Sequence, residues 1–444
     1  MHADLSDPTL LRLNEHPQRR QLNSEAHARP ALQIAADNRL SYLAYLHRHI
    51  SHEQELWLYR ELAQQLELPA PDPKASQFQL QAPFGRVRWE RHGEFSTLSV
   101  QAHGAETSPF AQPALQALPA GWLPLLPGNM LVAAHAALLP PGALPLRIED
   151  LAAQCFNGHE LVGAEIGDGA GRAYTDFRIH ADGFSRYLLA DFYMGRRQAG
   201  RMLQRLLELE TYRMLALLAL PVAKSIAPEL AKVDEELAEL TGAMGDAGAD
   251  SEPQLLHRLT ELAGATENAL SRTDHRFNAS LAYYDIARCR IAELRERRIQ
   301  GLQPFQQFLQ RRLTPAIDTC RAVAARQRAL AERVNRATAL LRTRVDIRRE
   351  RQNQALLTSM ERRAAMQLHL QQTVEGLSIA AITYYSAGLI GYLLKGAKAA
   401  GLALNVELAT AAAVPLLALA IALGLRRARA ALRRHGAVAG MEHG

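Results

Sequence analysis

Apolar and polar positions change their period several times along this chain of 444 residues. From Asn38 to Leu68 the apolar residues Leu40, Leu43, Leu46, Ile50, Leu56, Leu58, Leu62 and Leu66 recur at helical spacing, and Pro69 ends the run. After the proline-rich link PAPDP, the stretch FGRVRWERHGEFSTLSVQAHG alternates as a strand pair turning near His92-Gly93. Residues 108–128 are broken by Pro109, Pro113, Pro119 and Pro124, and MLVAAHAALLP reads as a further strand. The clearest β region is 160–195, where three apolar runs are separated by Gly167-Asp168-Gly169-Ala170-Gly171 and by Ala181-Asp182-Gly183, both turn chemistry.

From Gly195 onward the pattern is helical. One helix leads to Pro221 and a second reaches about Leu240. The apolar stretch MLALLALPVA is too short to span a bilayer and is expected to be buried between helices. A Gly/Ala/Asp hinge follows. Ser251 and Pro253 then open a helix that runs to about Gln300. Past Pro315 nothing breaks the helix for sixty residues, and Leu309, Leu313, Ile317, Cys320, Val323, Leu330, Val334, Ala337, Leu341 and Val345 form a stripe suited to packing on other helices.

Two runs near the C-terminus carry no charge, Gly376 to Leu394 and Leu408 to Leu425. At about 1.5 Å per residue each just crosses a hydrocarbon core of roughly 30 Å. Arg362 and Arg363 precede the first run, and Arg426, Arg427, Arg429, Arg433 and Arg434 follow the second, against two lysines in the loop. That bias places both ends in the cytoplasm and the loop outside. Ala387 and Gly391 form a small-xxx-small pair that lets two spans approach. The alternative is a buried helical hairpin in a soluble protein. The N-terminal sequence MHADLSDPTLLRLNEHP lacks the apolar core of a signal peptide, so the first 375 residues are expected to stay inside.

The organisation that follows is an α+β chain. Residues 1–37 form an N-terminal loop segment and 38–194 a small cytoplasmic domain with a mostly antiparallel sheet. Helical arms and a stalk occupy 195–375, a two-helix transmembrane hairpin 376–425, and a basic cytoplasmic tail 426–444. The net charge of +6 sits mostly in that tail, which argues against nucleic acid as a partner. Residues 229–267 hold ten acidic side chains against Lys232 and Arg258, whereas 321–351 hold ten arginines against Glu332, Asp346 and Glu350. Packing of Asp234–Glu239 along Arg333–Arg351 is therefore expected.

Chemistry is sparse. Cys155, Cys289 and Cys320 form neither a metal pattern nor a disulfide framework, which suits a reducing compartment. His47, His49 and His52 fall on one predicted helix, and His49 with His52 and Glu53 lacks a third ligand of metal-site quality. The glycines at 167–171 do not open a helix, as a phosphate-binding loop must. Glu25, His27 and Arg29 alternate in the N-terminal loop, and Glu90, Arg91, His92 and Glu94 crowd the first hairpin. Glu25, His27, Arg29, Glu90, His92 and Glu94 are the candidate polar cluster, with a buried ion-pair network as the simpler reading. Within the first span, Ser378, Thr383, Tyr384, Tyr385 and Ser386 offer an intramembrane polar face. No catalytic, cofactor or metal site emerges, so no enzyme activity and no cofactor are expected.

The blocks LNSEAHARP at 22–30, WERHGEFST at 89–97, YRMLALLALP at 212–221 and the long run LLRTRVDIRRERQNQALLTSMERRAAMQLHLQQTVEGLSIAAITYY at 340–385 resemble a bacterial membrane-anchored family, domain of unknown function 3422, over essentially the whole chain. The resemblance implies a protein of the cell (inner) membrane and implies no activity. The architecture is also similar to CorA-type divalent-cation channels, but the loop reads YLLKGAKAAGLALNVE and lacks their Gly-Met-Asn motif. Two functions follow as expectations. The first is an oligomeric membrane scaffold or sensor, its partners the lipid bilayer and further copies of itself. The alternative is a cation conduit, the ion unknown.

Overall fold

The computed structural model describes residues 16–20, 22–23, 32–35, 38–104, 109–145, 147–246, 248, 251–399 and 405–439. Two compact units are present, Met1–Ala339 and Leu340–Gly444.

In the first unit the described residues form one nine-stranded sheet: β1 (Asn38–Leu46), β2 (Gln77–Ala82), β3 (Gly85–Arg91), β4 (Phe95–His103), β5 (Asn129–Leu139), β6 (Val162–Ile166), β7 (Gly171–Thr175), β8 (Ser185–Asp191) and β9 (Arg297–Arg298), in the order β2-β3-β4-β1-β5-β8-β7-β6-β9. The strand pairs at 85–103 and 162–191 lie where the sequence placed them. The sheet is mixed, however, not mostly antiparallel. β5 and β8 run parallel, with Ala134 opposite Ser185, and the chain between them crosses over through a helix and the β6–β7 hairpin.

The helix expected over 38–68 is corrected in its first half. Asn38–Leu46 is β1, paired to β4 on one side and β5 on the other. An interior strand covered on both faces carries a near-continuous apolar run, which periodicity does not separate from a buried helix. Helix α1 (His52–Gln65) begins only at Ser51, whose hydroxyl accepts from Gln54 N while the Gln54 side chain returns to Ser51 N. His47 and His49 thus precede the helix and do not share a face with His52.

Alternation along the strands fills two layers. Leu40, Tyr42, Ala44, Val132, Ala134, Ala136, Leu138, Tyr187 and Leu189 face helix α3 (Gly195–Leu217), which supplies Met202, Leu203, Leu206 and Leu207. On the opposite face, Leu43, Val87, Trp89, Leu98 and Val100 pack on α1 and Trp122, and Ala137, Leu139, Tyr174 and Leu188 pack on α2 (Ile148–Phe156). Gly200 is where α3 meets the N-terminal segment: a Cβ there would sit 1.9 Å from Leu32 O.

Helix α4 (Ala219–Asp246) follows directly, with Pro221 in its first turn where no backbone donor is missed. Leu215, Ala216, Ala219 and Ala223 are fully buried, as the short apolar run required. Helix α5 (Glu252–Leu294) stops six residues before the expected Gln300 because Arg295 turns to φ 48° and β9 pairs with β6. After α6 (Phe305–Arg312), helix α7 (Thr314–Ala399) begins; Leu313 at the junction and Ile317, Cys320, Leu330 and Val334 along its first part are buried. Asp234 accepts from Arg333 at 2.6 Å, so the acidic arm reaches the basic helix within the first unit.

His135 of β5 stacks on Phe184 at 4.0 Å and shares a 2.9 Å hydrogen bond with the Ser41 hydroxyl. Burial pushes this imidazole down to about 4, with Asp182 opposing and Arg186 assisting. Between that value and the ordinary 6.5 the unfolded chain binds a proton the folded chain refuses, so stability falls as pH drops through this window. Going from pH 7.5 to 5 is expected to cost the native protein about 2 kcal/mol more than His135→Gln. Denaturant midpoints at both pH values check this, and equal losses would contradict it.

The second unit contains the rest of α7 and helix α8 (Val406–Ala439). A Cβ built on Gly391 would lie 3.9 Å from the Thr410 methyl, so the two helices come close there.

Candidate functional site

Three features of the described residues carry chemistry. The first is a small cleft between the sheet and α3. On β3 and β4 the residues facing α3 change from apolar to polar, giving Arg88, Glu90, Thr97 and Ser99, and α3 answers with Gln204, Glu208, Thr211 and Tyr212. They enclose a cavity of about 50 Å³ bordered by Leu32, Tyr42, His92 and Phe95, room for a few waters. Each carboxylate is held by an arginine: Glu90 by Arg88 at 2.6 Å and Glu208 by Arg290 at 2.5 Å. Tyr42 bonds Thr211 at 2.9 Å, and burial pushes its phenol well up.

The sequence-derived polar cluster is thus partly assembled. Glu90 and His92 line this cleft, and the His92 ring lies on Phe95 at 4.4 Å. Glu94 instead receives both guanidinium arms of Arg276; burial raises its carboxyl, but the bonds from Arg276 and Tyr283 prevail and hold it below the usual range. Glu25, His27 and Arg29 lie outside the described residues.

The second feature was not anticipated. Helix α2 ends at Phe156, and Asn157 (φ 55°) and Gly158 (φ 76°) turn the chain so that His159 enters the end of the β6–β7 hairpin. There its Nδ1 meets Asp176 Oδ2 at 2.7 Å, and Nε2 of His180 lies 2.9 Å from the same oxygen. Phe177, at φ 52°, turns into a nest of Phe305, Phe308 and Tyr187, which directs its neighbour Asp176 away from that core. Asp176 Oδ1 accepts from Arg178 N at 3.1 Å, and the Asn157 amide lies 3.2 Å from His180 Nδ1. Burial lowers the His180 imidazole below its ordinary value, with Asp176 opposing.

Histidines 159 and 180 fit no short motif, being separated by an entire hairpin. The signal was nonetheless present: a turn centred on 167–171 pairs Val162 with Thr175, which brings 159 beside 176. Cys155, one turn before His159, is buried, and burial pushes its thiol up.

The third feature is apolar surface. Among the described residues three helical stretches are long and apolar enough to cross a membrane: Gly195–Gly245, Phe305–Ala397 and Val406–Gly424. A third of the first one's apolar window is buried inside the protein, against 6% and none for the others. Leu377, Leu389, Leu393, Leu408, Leu416 and Leu419 are each more than half exposed. Of the polar positions there, Ser378 and Thr383 donate to Val374 O and Ile379 O of their own helix, at 2.8 and 2.7 Å. Tyr384 and Tyr385 stand outward, 77% and 76% exposed. At about 100° per residue, Thr383 and Ser386 share one side of the helix while Tyr384 projects from another.

A family model described as Protein of unknown function (DUF3422) matches residues 14–432. The chain belongs to that family. No curated protein and no solved structure matches it.

Proposed function

We propose that this protein is a membrane-anchored, non-catalytic scaffold or sensor, with the α+β body in the cytoplasm and two spans, 376–394 and 408–425, as its anchor. The observation that carries the reading is the uncovered apolar surface of α7 and α8. Patches of that extent are not left in water, and the arginines on either side of the two runs resist translocation. The apolar part of Gly195–Gly245 is not a third span in this reading, because α3 is committed to the sheet core.

Association of several copies about the first span supports the scaffold role. The hydroxyls of Ser378 and Thr383 are satisfied locally, but the Tyr384 and Tyr385 phenols near the middle of the run need partners that lipid does not offer. Leu356, Met360, Leu368 and Leu370 before the span are likewise more than half exposed and suit contact with other copies.

Alkaline carbonate extraction of membranes from expressing cells tests the anchor. The full chain is expected to stay in the pellet. Leu389→Arg with Leu419→Arg, each costing about 2.5–3.5 kcal/mol of insertion, is expected to release it. A native chain recovered in the soluble fraction would overturn the proposal.

A further inference from the structure

We infer that His159, Asp176 and His180 form a binding site for one divalent transition-metal ion of the zinc type. Their ligand atoms all lie within 4.8 Å of one another. Two imidazoles and a carboxylate are the donor set such ions take from proteins.

Two observations raise the group above an ordinary ion pair. Asp176 and His180 are sealed from solvent, with side chains 0% and 1% exposed. Buried His180 Nε2 lies 2.9 Å from Asp176 Oδ2 and makes no regular hydrogen bond among the described residues. An unsatisfied buried nitrogen costs about 1–3 kcal/mol. A cation accepting its lone pair removes that cost and neutralises the carboxylate at once.

The fit is close. Ligands at about 2.0–2.1 Å in tetrahedral array stand roughly 3.3 Å apart. The present separations of 2.7 and 2.9 Å therefore need to open by about 0.5 Å. That adjustment lies within the reach of side-chain rotation.

The surroundings orient the ligands as metal sites require. Asp176 is steadied by Arg178 N. The Asn157 amide lies 3.2 Å from Nδ1 of His180 through its Nδ2, and turning that amide over on metal binding would set its oxygen against an Nδ1 proton and leave Nε2 free to coordinate. Arg186 of β8 donates to Cys155 O at 2.7 Å and so fastens the end of α2, from which His159 departs. The His159 side chain is 30% exposed, so solvent reaches the group from one side only. Three protein ligands and one open position distinguish a site with an exchangeable water from a closed structural one.

The test uses the full chain, purified in detergent without a histidine tag and stripped with a chelator. Zinc chloride titration with metal analysis is expected to give one tightly bound equivalent per chain, and cobalt(II) loading to give the visible bands of a four- or five-coordinate ion. His159→Ala, at the exposed ligand, is expected to weaken zinc roughly 100-fold or more and to erase the cobalt bands while the unfolding midpoint of the metal-free protein stays near native. His180→Ala serves as a second variant for the buried ligand. Zinc uptake no greater than that of an Asp176→Ala/His159→Ala double variant, or wild-type affinity in His159→Ala, would overturn the site and leave a metal-free Asp–His clasp.

Discussion

Replacing Glu55 by alanine is expected to cost about 3–5 kcal/mol, the range for removing one member of a buried ion pair. The Glu55 side chain is completely enclosed and gathers three donors: Tyr45 hydroxyl at 2.5 Å, Trp89 Nε1 at 2.8 Å and the Arg91 guanidinium. Arg91 also donates to Ile50 O at 2.9 Å, and Tyr45 touches the Tyr59 hydroxyl at 2.7 Å. This one carboxylate therefore joins α1, β1 and β3. Without it a guanidinium only 17% exposed loses its counter-charge, and two further polar groups lose their acceptor. Burial, followed by the nearness of Glu55, pushes the Tyr45 phenol far up. Neither tyrosine then supplies a compensating charge. Glu55→Gln keeps the shape and acceptor oxygen and should cost clearly less. Denaturant unfolding of the two variants checks this. A loss under about 1 kcal/mol for Glu55→Ala would contradict the role given to the network.

What the sequence made legible follows the strength of local signals. The β6–β7 turn at 167–171 and the His92-Gly93 turn are punctuated by glycine, and both hairpins lie where they were expected. The run at 214–223 reads as packed between helices because ten residues are too few for a span, and Leu215, Ala216, Ala219 and Ala223 are buried there. β1 was misread because a strand flanked on both sides and covered on both faces has no polar side to betray a period of two. The parallel pairing of β5 with β8 is a long-range choice that no local pattern encodes.

The candidate residues divide in the same way. Glu90 and His92 could be grouped from one short segment, and both border the cleft. Glu94 sits two positions on, but its partner Arg276 lies 182 residues away, beyond any spacing argument. His159, Asp176 and His180 come together only after the hairpin closes, so composition and motif both passed over them.

Membrane anchoring is the centre of the account, and the position of the loop between the two spans tests it most directly. The loop lies between arginine-flanked runs and carries only Lys395, Lys398 and Glu407. In the proposed topology the flanking arginines are what keeps both outer ends in the cytoplasm, each worth about 1 kcal/mol at an anionic leaflet. In a chain freed of Cys155, Cys289 and Cys320, single cysteines at Ala399 and at Glu361 would be exposed to a membrane-impermeant maleimide in intact cells and again after lysis. Ala399→Cys is expected to be labelled from outside, whereas Glu361→Cys is expected to react only after lysis. Labelling of both positions only after lysis would contradict this.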